Sequence, residues 1–363
     1  MQSVKFLKQT DYISTFRTEQ ICGMFDLNPE KKLIKEFNFD IDLNFNWQIG
    51  IIVGTSGSGK TSLAKKLFKD SYVRNYKWQN DTAFVNEFDQ SINIKEITKC
   101  LANVGFSSPP LWLLPYSALS TGQQFRVDIV RSLLENKNTV CFDEFTSVVD
   151  RDVAKIGSHC VQKFVRKTNK KFVAVSCHYD IIDWLQPDWV FDVNKNQISR
   201  RSVRRPKIEF KIYSTNRENW RLFKNFHYLN TSIHKASQCF IGYIWNKPVA
   251  FGSIINFPHP KIKNAKREHR IVTLPDYQGI GLGNRISDFI AKYYTEKGFN
   301  YYSTTSQPAM IYYRNKSVNW ALIRNLSHVS KIGNSSKINN LTKQFAKTDS
   351  SNRLTASFKY INK

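Results

Sequence analysis

The sequence predicts two domains: an N-terminal α/β domain with a parallel sheet in residues 1–205, and a C-terminal α+β domain in residues 206–363. Three observations lead to this prediction. Short apolar strands alternate with helical stretches in the first half, which is typical of a parallel sheet. A basic run at 199–210, which contains Pro206, interrupts that pattern. A different order of elements then begins, with paired strands followed by a further strand and a helix.

The first domain opens with a clear strand pattern. Residues 35–47 alternate strictly between apolar and polar side chains, so they predict one half-buried strand. The stretch "QIGIIVGTSGSGKTSLAKKLF" then predicts a buried strand, a glycine-rich loop and a helix. Residues 139–142 and 171–178 are short apolar runs that predict two further strands of the same sheet.

The second domain has longer strands. Residues 239–257 predict a pair of strands, and 269–275 predict another strand that leads through a glycine-rich turn into a helix at 284–299. Residues 330–352 are rich in Ser and Asn and predict a loop. Residues 353–361 alternate again and predict a last strand.

Charge is distributed unevenly along the 363 residues. The net charge is +25, and residues 206–363 hold 25 Lys and Arg against 7 Asp and Glu, a net of +18. A concentrated basic field favours a polyanionic partner such as nucleic acid. A generally lysine-rich proteome is the alternative, although it would spread the charge more evenly.

The cysteines and the apolar runs predict the cellular location of the chain. The six cysteines form no CxxC pair, which favours a reduced, cytoplasmic setting. The N-terminus lacks the apolar region of a signal peptide, and no run approaches the ~18 apolar residues of a membrane span. We therefore expect no membrane segment in this chain.

The stretch "GTSGSGKTS" matches the phosphate-binding loop GxxxxGK[ST] and lies between a predicted strand and a predicted helix. Backbone N–H groups of such a loop surround phosphate oxygens, and the helix N-terminus adds its dipole. We expect Lys60 to reach the β and γ phosphates of ATP and Thr61 to bind Mg²⁺. The predicted ATP-binding residues of the loop are Gly54, Thr55, Ser56, Gly57, Ser58, Gly59, Lys60, Thr61 and Ser62.

Two carboxylates end the apolar strand at 139–142. We expect Asp143 to hold Mg²⁺ through water and Glu144 to orient or deprotonate the attacking water. An exposed acidic turn is the alternative, but two carboxylates at the end of a buried strand are costly without a cation.

Four motifs in order resemble those of ATP-binding-cassette (ABC) ATPases over about residues 30–200. "LSTGQQFR" at 119–126 resembles the signature sequence, with Thr121 in place of the usual glycine. "DEFTSVVD" resembles the Walker B and D-loop, with Phe145 where proline is common, and His178 resembles the switch histidine. Gln90 is a candidate for the Q-loop glutamine, or else a surface residue. Only 60 residues separate Lys60 from the signature, which favours a soluble ABC switch and leaves a separate membrane partner open.

The ABC resemblance implies a role for the signature. In ABC dimers the signature of one protomer closes on ATP held by the phosphate loop of the other. The resemblance therefore implies an ATP-dependent head-to-tail homodimer, with Glu144 and His178 acting in hydrolysis. It also implies that the signature contacts the partner's ATP through Ser120, Gly122 and Gln123.

A second motif, "RIVTLPDYQGIGLG" at 270–283, ends a strand and opens a helix. Its glycines alone would also suit a dinucleotide fold. The stretch resembles the acetyl-CoA loop of GNAT acyltransferases, with Gln278, Gly281 and Gly283 at the three positions of Q/R-x-x-G-x-G/A. The resemblance covers about 215–330 and implies that N–H groups from Gly279 to Gly283 hold the pyrophosphate of acetyl-CoA or another acyl-CoA. It also implies that the strand edge pairs with the pantetheine arm at Ile271 and Val272.

The catalytic residues of the transferase are less sharply defined. "AMIYYR" resembles a later GNAT helix whose tyrosine protonates the leaving thiolate, and the spacing favours Tyr313, then Tyr312; core packing is the alternative for both. Candidates for the general base are Glu268 and His269, which precede the cofactor strand; a solvated surface position is the alternative for both. Further, weaker candidates are His227 and His234.

An ABC ATPase joined to a GNAT domain on a basic chain is similar to acyltransferases associated with phage DNA modification, including the Mom-like group. The resemblance implies that ATP-driven closure presents a DNA or tRNA base amine to the transferase. Two alternatives stay open: a non-enzymatic ABC assembly or clamp factor with a GNAT-like docking domain, and a protein or small-amine N-acetyltransferase. Candidates for base stacking are Trp220, Phe226 and Tyr228, and candidates for phosphate contacts are Lys261, Lys263, Lys266 and Arg267. For each residue taken alone, an ordinary place in the core or in a solvated loop is the slightly favoured alternative.

Overall fold

The computed structural model describes residues 2–11, 13–27, 33–136, 138–201, 208–227, 231–258, 262–328 and 354–362. The chain forms two compact units. The first comprises residues 1–77 and 131–206, and the second comprises 78–130 and 207–363. Residues 78–130 thus belong to the second unit, and the division of domains at 205 stays a prediction. Among the residues described, no helix is long and apolar enough to cross a membrane.

The strands and helices are numbered along the chain. The strands are β1 Gln2–Thr10, β2 Leu33–Ile41, β3 Ile49–Val53, β4 Tyr72–Val73, β5 Thr139–Phe142, β6 Lys171–Ser176, β7 Trp189–Asp192, β8 Gln197–Arg200, β9 Lys211–Thr215, β10 Gln238–Ile244, β11 Lys247–Asn256, β12 Ala265–Thr273, β13 Asn300–Thr305, β14 Trp320–His328 and β15 Leu354–Tyr360. The helices are α1 Phe16–Phe25, α2 Lys60–Leu67, α3 Ile94–Asn103, α4 Pro109–Trp112, α5 Thr121–Glu135, α6 Arg151–Val165, α7 Ile182–Leu185, α8 Leu282–Glu296 and α9 Pro308–Lys316.

The first unit is built on a six-stranded sheet in the order β4-β5-β6-β3-β7-β8. Its neighbours are parallel except for the β7–β8 pair, so the predicted parallel sheet is confirmed. The central strand β3 is buried along its whole length. Gly50 is needed there, because a Cβ atom would lie 2.1 Å from the Trp189 ring. Helix α6 buries an apolar face at helical spacing and is capped by Asp150, whose side chain accepts from the Asp152 N–H.

The predicted single strand at 35–47 is wrong in its extent. Strand β2 pairs antiparallel with β1 and ends at Ile41. Two local hydrogen bonds then bend the chain before β3: the Asn44 N–H donates to Asp42 Oδ1 at 3.1 Å, and the Phe45 N–H donates to the Leu43 carbonyl at 2.9 Å. The apolar alternation continues through this bend because its side chains pack on the same core.

The second unit contains a seven-stranded sheet in the order β14-β15-β13-β12-β11-β10-β9. The neighbours are antiparallel except β12 and β13, which run parallel. The predicted strand pair at 239–257 is a hairpin that turns at Trp245 and Asn246, both with positive φ (49° and 61°), as a type I′ turn requires. The predicted last strand is confirmed as β15, whereas the predicted loop at 330–352 lies outside the described residues.

Residues 78–130 add helices to the second unit. Their core includes Phe84 and Phe106, whose rings stack with centroids 6.0 Å apart. The rings of Trp78 and Tyr116 are parallel within 6° at 4.8 Å. Both donate to the two carboxylate oxygens of Asp128 on α5, at 2.8 Å each. These contacts hold α5 against the segment that precedes it.

Candidate functional site

The loop after β3 has the geometry of a phosphate cradle. Gly57 and Gly59 adopt positive φ angles of 75° and 97°, which residues with a Cβ atom rarely adopt. Gly59 is the N-cap of α2 and has no side chain that could cap the helix. The backbone N–H groups of the first turn therefore face the loop with no side-chain acceptor from the N-cap. The Lys60 ammonium folds over the loop and donates to the Thr55 carbonyl at 2.6 Å. The predicted loop residues therefore come together around one concave backbone segment.

Side chains also brace this loop. The Ser58 hydroxyl donates to the Thr55 carbonyl at 2.8 Å, and a Cβ atom on Gly54 would lie 2.9 Å from that hydroxyl oxygen. The Thr55 hydroxyl donates to Asn194 Oδ1 at 3.1 Å. Sequence reasoning missed Asn194, since it follows β7 and lies 139 residues away. The remaining predicted loop residues are Ser56, which is exposed, and Ser62, which is half-buried in α2.

Asp143 is the centre of polar contacts at the end of β5. It is only 2% exposed, and its Oδ2 accepts from the Thr61 hydroxyl at 2.9 Å and from the Tyr72 hydroxyl. Its Oδ1 accepts from the Glu144 N–H at 2.9 Å. Burial, followed by the hydrogen bond to Asp143, raises the pKa of Tyr72, which therefore stays protonated and donating. These partners are uncharged, so the carboxylate and the Thr61 hydroxyl fit Mg²⁺ as a cation that would balance the buried charge.

Glu144 and His178 follow the carboxyl ends of β5 and β6 in the same sheet, where Glu144 is exposed and His178 is partly buried. Glu144 has a positive φ of 53°, and its Oε1 lies 3.6 Å from the guanidinium of Arg74, with both side chains about half exposed. Its carboxylate can thus meet a water molecule. The His178 pKa is lowered, first by burial and then by Arg151, so the imidazole is neutral at pH 7 and can accept a hydrogen bond.

The signature stretch begins at an exposed helix start in the second unit. Ser120 precedes α5, and its N–H donates to Gln123 Oε1 at 3.0 Å while its carbonyl accepts from the Gln123 N–H at 2.9 Å. The Gln123 side chain, in the first turn of α5, therefore binds back to the residue that precedes the helix. Gly122 is half-buried beside it, and Gln90 is exposed in a turn after Phe88.

The last residue of the signature points inward. Arg126 is 1% exposed. Its guanidinium donates to the carbonyls of Gly105 at 3.0 Å, Pro275 at 2.6 Å and Asp276 at 2.9 Å. Sequence reasoning missed this contact, which joins α5 to the turn before the second glycine-rich loop.

The second loop joins β12 to α8. Gly279 and Gly281 have positive φ angles of 88° and 91°, and Gly281 is the N-cap of α8 without a side-chain cap. A Cβ atom on Gly281 would meet nothing within 4 Å, whereas one on Gly283 would lie 3.7 Å from Ile271. The Gln278 amide is bound within the protein: it donates to the Thr273 carbonyl at 3.1 Å and accepts from the Ser107 N–H at 2.9 Å.

Strands β12 and β13 diverge beside this loop. They pair only where 265–267 face 300–302. Ile271 and Val272 lie beyond that paired stretch and bond on their other side to β11. The backbone of β12 near the loop is thus open toward β13, which fits an extended ligand arm such as pantetheine.

The predicted acid and base residues have different surroundings. Tyr313 donates to Asp288 on α8, and burial, followed by that hydrogen bond, raises its pKa to about 12. Tyr312 is 58% exposed beside Lys316. His269 Nε2 accepts a hydrogen bond from the backbone N–H of His234 at 3.2 Å. Burial, followed by the nearby charge of Arg270, lowers the pKa of His269 to about 3.

Glu268 belongs to a buried ion pair. Its carboxylate oxygens lie 3.1 Å from the Arg314 guanidinium, and the two side chains are 7% and 1% exposed. The hydroxyls of Ser287 and Ser303 donate to the same carboxylate at 2.6 and 2.7 Å. A carboxylate so thoroughly bound is poorly placed to accept a proton from a substrate.

Only part of the basic and aromatic set is accessible. Trp220 is 4% exposed and donates to the Thr231 carbonyl, so it is a core residue. Lys266 is 7% exposed, its ammonium donates to Gln238 and Asn256, and burial lowers its pKa. The exposed members are Phe226, Lys263 and Arg267; Tyr228 and Lys261 lie outside the described residues. Tertiary packing buries Trp220 and Lys266, so the core alternative holds for these two and they are no longer candidates for stacking or phosphate contact.

The acetyltransferase (GNAT) family model matches residues 180–316. The chain carries a GNAT acetyltransferase domain. The described part of the match begins in α7, β7 and β8 of the first unit, and then runs from β9 to α9. The GNAT match includes the β12–α8 loop and the predicted tyrosines.

The first half is similar to ABC proteins. ABC transporter C family member 6 of Dictyostelium discoideum is 27% identical over 202 residues, which are 47% of this chain and 15% of that protein. The chain thus corresponds to a small part of that relative. The chain is also similar to a dimeric post-hydrolysis state of the ATP-binding cassette MJ0796 bound to ADP and phosphate, with 15% identity, a TM-score of 0.37, and coverage of 54% of this chain and all of that one. Another similar structure is a bacterial Atm1-family ABC exporter with ATP bound, with 16% identity and a TM-score of 0.38. The match covers 48% of this chain and 36% of the exporter chain.

Proposed function

We propose that the chain is an acyl-CoA-dependent N-acyltransferase joined to an ABC-type ATPase. The observation that carries the proposal is the junction of β12 and α8 in the GNAT domain. Two glycines with positive φ lead into an uncapped helix start beside a strand whose edge is open. Such a junction suits a pyrophosphate on the N–H groups and a pantetheine arm on the strand edge.

The ATPase part of the proposal rests on the first unit. Lys60 would bind the β and γ phosphates, and Thr61 and Asp143 would hold Mg²⁺. Glu144 would orient the attacking water, and the neutral His178 would donate its ring N–H to an oxygen of the γ phosphate. Ser120 and Gly122 would complete the ATP site of a second copy in a head-to-tail dimer, which explains a helix start so poor in packing residues.

Acyl transfer needs a proton donor for the departing thiolate. Tyr313 is the best candidate, because its raised pKa of about 12 keeps it protonated; its hydroxyl, which donates to Asp288 in this structure, would turn to donate to the thiolate. His269, with a pKa of about 3, is a weak base, and Glu268 is bound by Arg314. We infer that these last two groups support the fold of the GNAT domain rather than remove a proton.

We propose a nucleic-acid base amine as the acceptor, in DNA or tRNA. The support is the net charge of +18 in residues 206–363, together with exposed cations beside an aromatic ring. The Arg267 guanidinium lies 5.3 Å from the centre of the Phe257 ring, and Phe257 and Lys263 line one open pocket. Such pairs of cation and ring suit stacked bases and phosphates.

Thiol release from acetyl-CoA tests the enzymatic proposal. DNA, tRNA, a lysine peptide and a polyamine would be supplied in parallel, and nucleosides would be analysed by mass spectrometry. We expect release with a nucleic acid, lowered at least ~10-fold in Tyr313→Phe, and unchanged in the exposed control Tyr213→Phe. Release only with the peptide or polyamine would replace the proposed acceptor. ATP hydrolysis without thiol release from any acceptor would favour the docking-domain alternative.

Salt dependence tests the nucleic-acid contact separately. Each neutralised phosphate contributes about −0.9 to the slope of log affinity against log salt. Changing Lys263 and Arg267 to Gln should therefore flatten the slope by about 2, measured by fluorescence anisotropy. The matched pair Lys292→Gln on α8 and Lys297→Gln directly after α8 should leave the slope unchanged. A slope near zero in the unmodified protein would contradict a nucleic-acid partner.

A further inference from the structure

The ABC-like signature and the proposed acyl-CoA loop meet within the second unit. Arg126 ends the stretch "LSTGQQFR", and its guanidinium is almost fully buried. It donates to Pro275 and Asp276, the two carbonyls that open the turn after β12, and to Gly105. A buried guanidinium bound to several carbonyls fixes the directions of those peptide groups.

Residues 105–107 hold the same turn from a second side. Gly105 has a positive φ of 90°, and a Cβ atom there would lie 2.5 Å from the Gln278 carbonyl oxygen. The Ser107 N–H donates to the Gln278 side chain at 2.9 Å, and the Ser107 carbonyl accepts from Gln307 at 2.8 Å. The turn from Pro275 to Gln278 is therefore held by the segment that ends in the signature helix.

We propose that Arg126 is a positioning residue for acyl-CoA binding, by which the signature helix holds the β12–α8 loop in its ligand-binding shape. The inference rests on the proposed function of that loop. N–H groups bind a pyrophosphate well only when they already converge, because ordering a loop opposes binding. Two of the three carbonyl contacts of Arg126 order Pro275 and Asp276 in the turn that leads to Gly279 and Gly281, and the third holds Gly105 against the same turn. Arg126 itself would not touch the ligand.

This arrangement predicts a particular pattern in the kinetics. Arg126→Lys keeps the charge but loses the planar fork that reaches three carbonyls. We expect the dissociation constant of coenzyme A and the KM for acetyl-CoA to rise about tenfold, since charge-assisted hydrogen bonds that order the loop are lost. The kcat at saturating acetyl-CoA should stay within about twofold, because the reacting groups are unchanged.

The experiment uses the full chain and coenzyme A as the calorimetric probe. Arg131→Lys is the matched control: it makes the same replacement on the same helix, where the guanidinium binds Glu135 instead. MgATP affinity and the circular dichroism spectrum report folding. If Arg126→Lys does not fold, Gln307→Ala removes a milder support of the same anchor, and about a threefold weaker affinity is expected.

The outcomes are distinct. An unmodified protein that binds no coenzyme A would overturn the proposed function and this inference with it. Binding that is equal in the unmodified protein, Arg126→Lys and Gln307→Ala would overturn the inference alone. A fall in kcat with an unchanged KM would also overturn it, because Arg126 would then act on the chemical step or on general folding.

Discussion

Removal of the buried guanidinium at Arg314 should destabilise the GNAT domain strongly. Arg314 lies on α9 and ties that helix to β12 through Glu268, to α8 through Ser287 and to β13 through Ser303. Its hydrogen bonds are 2.6–3.1 Å long. Arg314→Met fills much of the same volume but leaves the Glu268 carboxylate buried without its counter-charge.

The size of the effect follows from that uncompensated charge. Loss of one partner of a buried ion pair costs about 3–5 kcal/mol of unfolding free energy. In a unit of roughly 200 residues, 1 kcal/mol corresponds to about 2–4 °C in Tm. We therefore expect the Tm of the second unit to fall by about 6–20 °C. The double variant with Glu268→Gln should regain part of this loss, because no charge is then left without a partner.

Calorimetry of the full chain measures the transitions, and hydrogen exchange in β12 and α9 assigns the transition of the second unit. Glu268→Gln alone completes the double-mutant cycle. A fall of less than about 3 °C for Arg314→Met, or strict additivity of the two changes, would refute the reasoning. If Glu268→Gln keeps the full Tm and instead lowers kcat more than ~100-fold, Glu268 is a base and not a structural partner.

Four further outcomes are expected. Lys60→Ala should abolish MgATP binding in equilibrium dialysis, and the exposed Lys69→Ala should not; equal affinities would remove the phosphate-loop assignment. Glu144→Gln should bind ATP, hydrolyse it at least ~100-fold more slowly and accumulate a dimer in light scattering, whereas a monomer under those conditions would exclude the shared site. In the Glu144→Gln variant, MgATP should change the affinity for coenzyme A, and coenzyme A should change the affinity for ATP by the same factor. Adding Arg126→Lys should abolish this coupling. Unchanged coupling in the double variant would exclude transmission through Arg126. The pKa of His269 is about 3 in the folded protein against an ordinary value of 6.5, so the unfolded chain binds the proton at a higher pH than the folded chain does. The free energy of unfolding should therefore fall as the pH drops from about 6.5 toward 3. A His269→Gln variant with the same pH profile would show that the fall does not come from His269.

Local sequence determined both glycine-rich loops. In each, a strand, glycines and a helix follow within a few residues, and the structure has positive φ at Gly57, Gly59, Gly279 and Gly281. Glycine is required there by the backbone itself, so spacing along the chain was enough to predict the loop. The strand pair at 239–257 was also predicted locally, although Trp245 and Asn246 rather than glycines take the positive φ angles of its turn. Residues 35–47 misled the prediction, because an alternating pattern shows which side chains are buried but not where the backbone bends.

Tertiary structure decided the polar partners and the accessibility of single side chains. Tyr72 reaches Asp143 over 71 residues, and Arg126 reaches Pro275 over 149, separations at which a sequence pattern has no period to reveal them. Lys266 resembles a surface cation in sequence, yet Tyr294 and Phe299 cover its ammonium. The physical reason is common to these cases: a backbone loop depends on neighbouring residues, whereas burial and hydrogen-bond partners depend on which distant segments the fold brings together.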